Sequence, residues 1–378
     1  MIKKALILAM VIVLPLFGGC WNYRGLDKLS IVSGFAIDKD NKTGLYDLSF
    51  QIVDLSGNVN IEGIRAKILK SEGKTLFDAC RNAKKAVVGK LYFGQTQLVV
   101  ISEDIAREEN LRDVIDLMLH DSEMRETMKI VISTEKTAAE ILKYETLVGA
   151  VTAFDINKYI QEDNRITAST SYKQLYEVYN VLETDGIELT LPAICNVDND
   201  GEYIAKLCGT AVYKGQRLVG YLDPVESKYF LFTVNKVEGG LLTFPADGEN
   251  KDNATLEIVK SNTGRSFSYE NGKLVIKLDV DADVFLMECE NSVNMLDQKQ
   301  VKELEALAAK TLAQRMINTI QVVQSKYGSD IFGFGSLIHK TNNSLWESLR
   351  DDWDTTFKSL EVQVDAKINI INSSLIKE

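Results

Sequence analysis

The sequence has few of the residues on which common catalytic and metal sites depend. It contains only two histidines, His120 and His339, which lie far apart in the chain. It has no HExxH motif and no Cys-x-x-Cys pair, so a zinc site of the common kind is excluded. A Gly-x-Ser-x-Gly elbow is also missing, which leaves no motif for a serine hydrolase. The sequence therefore predicts no enzyme activity, no metal and no cofactor.

Two weaker motifs do not indicate a binding site either. The tripeptide Gly73-Lys74-Thr75 resembles the end of a phosphate-binding loop, but Ile68 occupies the position of the required glycine. Asp279, Asp281 and Asp283 alternate along one strand and could bind a cation, yet the run lacks the turn glycine of a calcium loop. We interpret these three residues as a solvated acidic strand face.

Positive charge is also in deficit. The chain has 43 Lys and Arg against 54 Asp and Glu, which gives a formal net charge of −11. A strongly acidic surface is repelled by phosphates, so nucleic acid is not an expected partner. It is equally repelled by an anionic bilayer, so attachment to a membrane must come from another feature.

The first twenty residues supply such a feature. Lys3 and Lys4 precede a charge-free apolar run, which is too short for a membrane span and is followed by Gly18, Gly19 and Cys20. This pattern is typical of a bacterial lipoprotein signal, so residues 1–19 are predicted to be removed and Cys20 to carry the lipid. An uncleaved anchor with a chance cysteine is the alternative. No later apolar run is long enough to span a bilayer.

The remaining cysteines give less information. Four could form two disulfides in an oxidising compartment or could remain as buried thiols: Cys80, Cys195, Cys208 and Cys289. We favour buried thiols, because a chain of this length does not need covalent cross-links to be stable.

The pattern of apolar residues predicts an α+β (mixed α/β) protein of three domains. Residues 20–197 form a mixed α/β domain, since the strand at Thr96–Ile101, the helix at Glu103–Leu119 and the strand at Lys129–Ser133 indicate a βαβ unit. Residues 198–253 form a small α+β domain, in which Asp223 begins a helix. Residues 254–378 form a curved antiparallel sheet, packed on a long helix that Asp297 begins.

Two segments are candidate partner interfaces. The first contains Asp121, Glu123 and Arg125, a polar and charged stretch that follows a helix. The second contains Phe332 and Phe334, which are followed by Gly333 and Gly335 respectively and lie just after the long helix. For the second segment, packing of both rings under the long helix is the favoured interpretation, and an exposed partner site is the alternative.

Several segments, taken in order, resemble the Ger(x)C family of spore germination lipoproteins. The family's start is similar to Cys20–Arg24, and its later strands and C-terminal signature are similar to further stretches: Ile31–Asp38, Phe93–Glu103, Asp116–Arg125, Gly209–Asp223 and Asp330–Gly335, the last with Trp346, Trp353 and Phe357. Asn22 and Gly25 depart from the family pattern, and His120 stands where Arg is common. The resemblance extends from end to end, and its specificity comes from the order of the segments.

The resemblance implies a place and a process. It implies a non-catalytic C component of a nutrient germinant receptor, needed for receptor assembly or signalling. It implies a lipid anchor on the outer face of the spore inner membrane. It also implies two integral membrane partners, a multi-pass A-type subunit and a permease-like B subunit. The alternative function is an extracytoplasmic solute-binding lipoprotein that itself binds the nutrient; the single clear βαβ unit argues against its usual two doubly wound lobes.

Overall fold

The described residues form two β-sheets with helices packed against both. The computed structural model describes residue 3 and residues 29–54, 65–87, 89–144, 146–147, 149–246, 252–290 and 297–373. The strands are β1 Leu29–Lys39, β2 Tyr46–Asp54, β3 Arg65–Gly73, β4 Lys90–Tyr92, β5 Leu98–Ser102, β6 Lys129–Ser133, β7 Thr190–Asn199, β8 Glu202–Lys214, β9 Arg217–Leu222, β10 Leu241–Phe244, β11 Ala254–Glu270, β12 Lys273–Cys289 and β13 Glu361–Ser373. The helices are α1 Leu76–Ala83, α2 Glu103–Glu108, α3 Leu111–His120, α4 Ala139–Lys143, α5 Thr152–Ile166, α6 Leu175–Leu182, α7 Pro224–Thr233, α8 Gln298–Val322, α9 Phe334–Thr341, α10 Asn343–Leu349 and α11 Trp353–Ser359. The predicted α+β (mixed α/β) class is confirmed.

The larger sheet has nine strands in the order β3-β2-β1-β5-β6-β7-β8-β9, with β4 beside β1. Its centre is parallel, because β1, β5, β6 and β7 all run in one direction. The βαβ unit predicted from the sequence is therefore confirmed, with α2 and α3 forming its crossover. One face carries a core with α1, α2, α3 and α6, and the other face carries a core with α4 and α5.

The smaller sheet has the order β10-β11-β12-β13, and α8 packs against it. The hairpin between β11 and β12 turns at Asn271 and Gly272, whose φ angles of 52° and 78° fit the type I′ turn that an Asn-Gly pair favours. The antiparallel expectation is wrong for one strand, since β13 runs parallel to β12. Parallel neighbours need a crossover connection, and the helical segment from α8 to α11 provides it.

The predicted domain boundaries fall at different kinds of position. The boundary between residues 197 and 198 lies within β7, and the larger sheet continues across it through the antiparallel pair of β7 and β8. The boundary between residues 253 and 254 coincides with the start of β11 in the smaller sheet. The division of the chain into three domains stays a prediction.

The cysteine expectation is corrected at one pair. Cys195 of β7 and Cys208 of β8 form a disulfide, with their Cα atoms 6.0 Å apart. The two strands are paired and bring both cysteines to one place, which the spacing along the chain did not reveal. Cys80 and Cys289 are free thiols, and each is half-buried.

Candidate functional site

The predicted site residues fall in three places. Cys20 lies outside the described residues. The segment Asp121–Arg125 follows the end of α3, on the larger sheet's side of the molecule. Phe332 lies between the long helix and α9, and Phe334 is the first residue of α9; both lie next to the smaller sheet. The structure therefore does not bring the two candidate partner interfaces together.

The backbone of the segment Asp121–Arg125 is fixed by contacts with the rest of the chain, and the segment presents a charged side chain to solvent. The Asp121 carboxylate accepts a hydrogen bond from the Glu123 backbone N–H at 2.9 Å, and Glu123 forms an ion pair with Lys90 of β4. Met124 is buried in the core beneath, whereas Arg125 is exposed. This arrangement fixes the backbone and presents the Arg125 side chain to solvent, so a partner contact here remains a prediction.

The aromatic loop, residues Asp330–Gly335, is a core element. Phe332 and Phe334 are 1% and 0% exposed, and their rings stack with centroids 5.2 Å apart. Both rings also lie close to Phe357 of α11. Neither ring is accessible to a partner, so the packing interpretation is the one that the structure shows, and the partner-site interpretation of these two residues is corrected.

Asp330 organises this loop from inside the core. Its carboxylate accepts hydrogen bonds from the backbone N–H groups of Phe334 and Gly335, at 3.1 and 2.8 Å, at the start of α9. It also accepts one from the indole N–H of Trp353 at 3.1 Å. Burial raises the pKa of Asp330 to about 6, although these hydrogen bonds act in the opposite direction. The carboxylate thus joins the loop to α11.

The same loop joins the C-terminal part of the chain to the larger sheet. The Glu188 N–H donates to the Asp330 carbonyl at 2.9 Å, and the Ser336 N–H donates to the Gly186 carbonyl at 2.7 Å. Gly186 has a φ of 72°, and a Cβ there would lie 2.5 Å from the backbone of Gly335. Only glycine permits this close approach of two backbones. We call these contacts the junction.

A cleft of about 550 Å³ opens beside the junction. Its walls come from residues 181–189, the turn between β8 and β9, and the segment from Asp330 to α11. The Glu188 carboxylate accepts a hydrogen bond from the Gly215 N–H at 2.7 Å. Burial raises the pKa of Glu188 to about 7, and the nearby charges of Asp354 and Asp330 raise it further against the opposing effect of Lys214. One carboxyl group at the junction therefore changes protonation near neutral pH.

Sequence reasoning missed Glu188 and the role of Asp330. Gly215 lies 27 positions from Glu188, and Trp353 lies 23 positions from Asp330. A local sequence pattern therefore cannot predict the hydrogen bond within either pair. Within the described ranges, no three His, Cys, Asp or Glu side chains are grouped so as to hold a metal ion. Asp281 and Asp283 both accept hydrogen bonds from Asn369 of β13, and Asp279 is exposed, as expected for an acidic strand face.

Comparison of the fold gives the class of protein. One solved structure, described as the crystal structure of the GerBC protein, matches 90% of this chain and 97% of its own, with a TM-score of 0.56 and 20% identity. At this identity the match shows the fold alone, and the fold is that of a GerBC-type protein. No helix in the described part of the chain is long and apolar enough to cross a membrane.

Two family models assign the chain to a particular protein family. A model described as "Spore germination protein N-terminal domain" matches residues 22–195, and one described as "Spore germination B3/ GerAC like, C-terminal" matches residues 208–374. The chain therefore belongs to this spore germination family. It is the Ger(x)C family, which the sequence segments described above resemble.

Curated relatives from the same family align with this chain over almost their whole length. The chain is 27% identical to "Spore germination protein KC" of Bacillus subtilis (strain 168), over 97% of this chain and 95% of that protein. It is 23% identical to "Spore germination protein B3" of the same organism, over 94% of each. It is 21% identical to "Spore germination protein GerQC" of Bacillus cereus, over 94% of this chain and 95% of that protein.

Proposed function

We propose that this chain is the C component of a nutrient germinant receptor in spores and acts in receptor assembly or signalling without catalysing a reaction. The match of both family models, which together extend from residue 22 to residue 374, carries this proposal. The non-catalytic role is part of this proposal, and both family descriptions refer to spore germination.

The proposal places the chain on the outer face of the spore inner membrane through lipid on Cys20. Lipid chains contribute about 0.8 kcal/mol for each buried CH₂ group, so two or three chains give stable attachment. The disulfide between Cys195 and Cys208 supports a location outside the cytoplasm, because disulfides persist in oxidising compartments and are rare in the cytosol. The acidic surface supports attachment by lipid and not by charge.

The first experiment separates anchoring from function. Replacing Cys20→Ala in the full chain should move the protein from the spore membrane fraction to the soluble fraction and reduce the rate of nutrient germination. The matched control is Cys80→Ala, a free thiol that should leave both readouts unchanged. A protein that remains in the membrane fraction would instead support an uncleaved anchor, and normal germination with a soluble protein would contradict the proposed function.

The second experiment tests the partner surface. We propose that the segment Asp121–Arg125 contacts the integral membrane A-type or permease-like B subunit. Arg125→Glu reverses an exposed charge and should lower co-purification of those subunits without changing the melting temperature. Lys206→Glu, an exposed charge on β8, is the matched control. Equal recovery of partners with both variants would remove this segment from the interface.

A further inference from the structure

The helix α1 and the strand before it concentrate positive charge on an acidic protein. Residues 65–90 contain β3 and α1 and end at the start of β4. They include eight Lys or Arg against two Asp or Glu, an excess of six positive charges, whereas the whole chain has a formal net charge of −11. The rest of the chain is therefore more acidic than the total indicates. Such a separation of charge favours an anionic partner on one side of the molecule.

The sequence of α1 separates an apolar face from a basic face. The residues buried in the core of the larger sheet recur at helical spacing: Leu76, Ala79 and Ala83. The opposite side of the helix, with the residues just before and after it, is exposed and carries four cations and one aromatic ring: Lys74, Phe77, Arg81, Lys84 and Lys85. We call these five residues the basic face.

The cations of the basic face have no ion-pair partners within the described part of the chain. No carboxylate oxygen there lies within 4.0 Å of the side-chain nitrogens of Lys74, Arg81, Lys84 or Lys85. The carboxylate of Asp78, on the same helix, accepts a hydrogen bond from the Lys74 backbone N–H at 2.9 Å. An external anion can therefore approach these cations without breaking an internal ion pair.

Phe77 adds an apolar group to the basic face. Its ring is 51% exposed, and the Arg81 guanidinium lies over it, 4.9 Å from the ring centroid. An exposed aromatic ring among cations is typical of helices that lie in the interface of a membrane. There the ring enters the headgroup region, while the long Lys and Arg side chains keep their charges at the level of the phosphates.

The basic face lies close to the point where the predicted anchor enters the fold. Leu29, the first residue of β1, pairs in parallel with Lys90 of β4. Lys85 lies five residues before Lys90, so at most about 18 Å of chain separates them. Cys20 lies nine residues before Leu29, a distance of at most about 32 Å. Lipid on Cys20 and the basic face can therefore reach the same bilayer surface.

We propose that the basic face docks on an anionic lipid surface and so sets the orientation of the anchored protein. This inference rests on the proposed function, in which lipid on Cys20 holds the acidic chain at the membrane. The basic face then determines which side of the chain faces the bilayer. Each Lys or Arg near an anionic surface strengthens binding by about fivefold, so four cations can orient a protein that is already attached.

The test is lysine labelling of the lipid-modified chain, purified from membranes and reconstituted in vesicles of phosphatidylcholine with or without phosphatidylglycerol. A water-soluble acylating reagent modifies exposed lysines, and mass spectrometry measures each site. We expect labelling of Lys84 and Lys85 to fall by about threefold or more with phosphatidylglycerol, and to recover in about 1 M salt, where the Debye length is about 3 Å. Lys302 and Lys310, exposed on α8, are internal controls and should be labelled equally in both kinds of vesicle. Equal labelling of Lys84 and Lys85 in both would overturn the proposal.

A charge-reversal variant locates the docking surface. Lys74→Glu with Arg81→Glu changes two exposed side chains and should abolish the protection of Lys84 and Lys85 at an unchanged melting temperature. Lys206→Glu with Lys260→Glu changes the net charge equally at other exposed positions, and this matched control should keep the protection. Protection that survives in the first variant would overturn the proposal.

The same experiment separates this inference from the lipid anchor. Protein recovered outside the vesicles would overturn the anchor and, with it, the proposed orientation. Protein that stays on the vesicles while Lys84 and Lys85 are labelled as in phosphatidylcholine alone would overturn the orientation and leave the anchor in place.

Discussion

The nine-stranded sheet is packed on both faces, whereas the four-stranded sheet has a single large core on one face. In β5 every residue from Leu98 to Ser102 is buried, with Val99 and Ile101 in one core and Leu98 and Val100 in the other. In β12 buried and exposed residues alternate from Leu278 to Ala282. The larger sheet is thus covered by a hydrophobic core on each face, and the smaller sheet is covered by a core on one face.

This difference explains why the two sheets have different sequence patterns. A strand between two layers has apolar residues at consecutive positions, which fits the parallel centre of the larger sheet. A strand with one face in solvent alternates apolar and polar residues, because successive side chains point to opposite faces. The aromatic loop belongs to the core of the smaller sheet, and it also makes the junction with the larger one.

The largest effect should come from the aromatic loop. Phe334→Ala removes a fully buried ring from the core of the smaller sheet and should lower the free energy of unfolding by about 3–5 kcal/mol. Phe77→Ala, at a ring that is 51% exposed on α1, is the matched control and should cost far less. Denaturant titration followed by circular dichroism measures both. A Phe334→Ala protein of normal stability would show that the ring is not a core residue.

The next effect tests the two packing patterns directly. In β5, Leu98→Ala and Ile101→Ala remove side chains from opposite faces, and each should cost about 2–5 kcal/mol. In β12, Leu278→Ala should cost a similar amount, but its exposed neighbour Lys277→Ala should change stability by no more than about 0.5 kcal/mol. The same titrations apply. A small effect of Leu98→Ala would contradict a core on both faces of the larger sheet. A large effect of Lys277→Ala would contradict a solvent-exposed face on the smaller sheet.

The smallest effect concerns pH at the junction. The pKa of Glu188 is raised in the folded state from 4.5 to about 7, so the folded protein retains a proton that the unfolded chain releases. The resulting stabilisation is complete below about pH 4.5 and is lost as the pH rises through about 7. The melting temperature should therefore fall across this range.

Glu188→Gln removes the titrating group and should flatten the upper part of that fall. Asp330 and Asp38, whose pKa values are each raised to about 6, should retain their lower-pH contributions in this variant. Asp38 serves as the comparison inside the larger sheet, where its carboxylate accepts from the backbone N–H groups of Ala138 and Ala139. A variant with the full wild-type pH dependence would exclude Glu188 as the titrating group.

Local features of the fold were predictable from the sequence because their partners are close in the chain. The N-cap of α7 is one case, since Asp223 accepts from the N–H groups of Val225 and Glu226, and Glu226 completes the capping box. Another is Asp297, which caps α8 as predicted. The hairpin at Asn271 is a third, because the turn type needs a positive φ that Asn and Gly adopt readily.

Features that depend on distant partners were not predictable in this way. The cysteines of the disulfide are 13 positions apart and meet only because β7 and β8 pair in one register. The direction of β13 depends on the path of four helices.

The parallel strand β13 determines when one edge of β12 can be covered during synthesis, because it is translated after α8 to α11. Asn369 of β13 bonds to Asp283 of β12, which is 86 positions earlier, so β12 has no partner on that edge until the last strand leaves the ribosome. An open strand edge is a site for pairing with other chains. The nascent protein therefore carries an aggregation-prone edge for the time needed to translate α8 to α11, at about 5–20 residues per second.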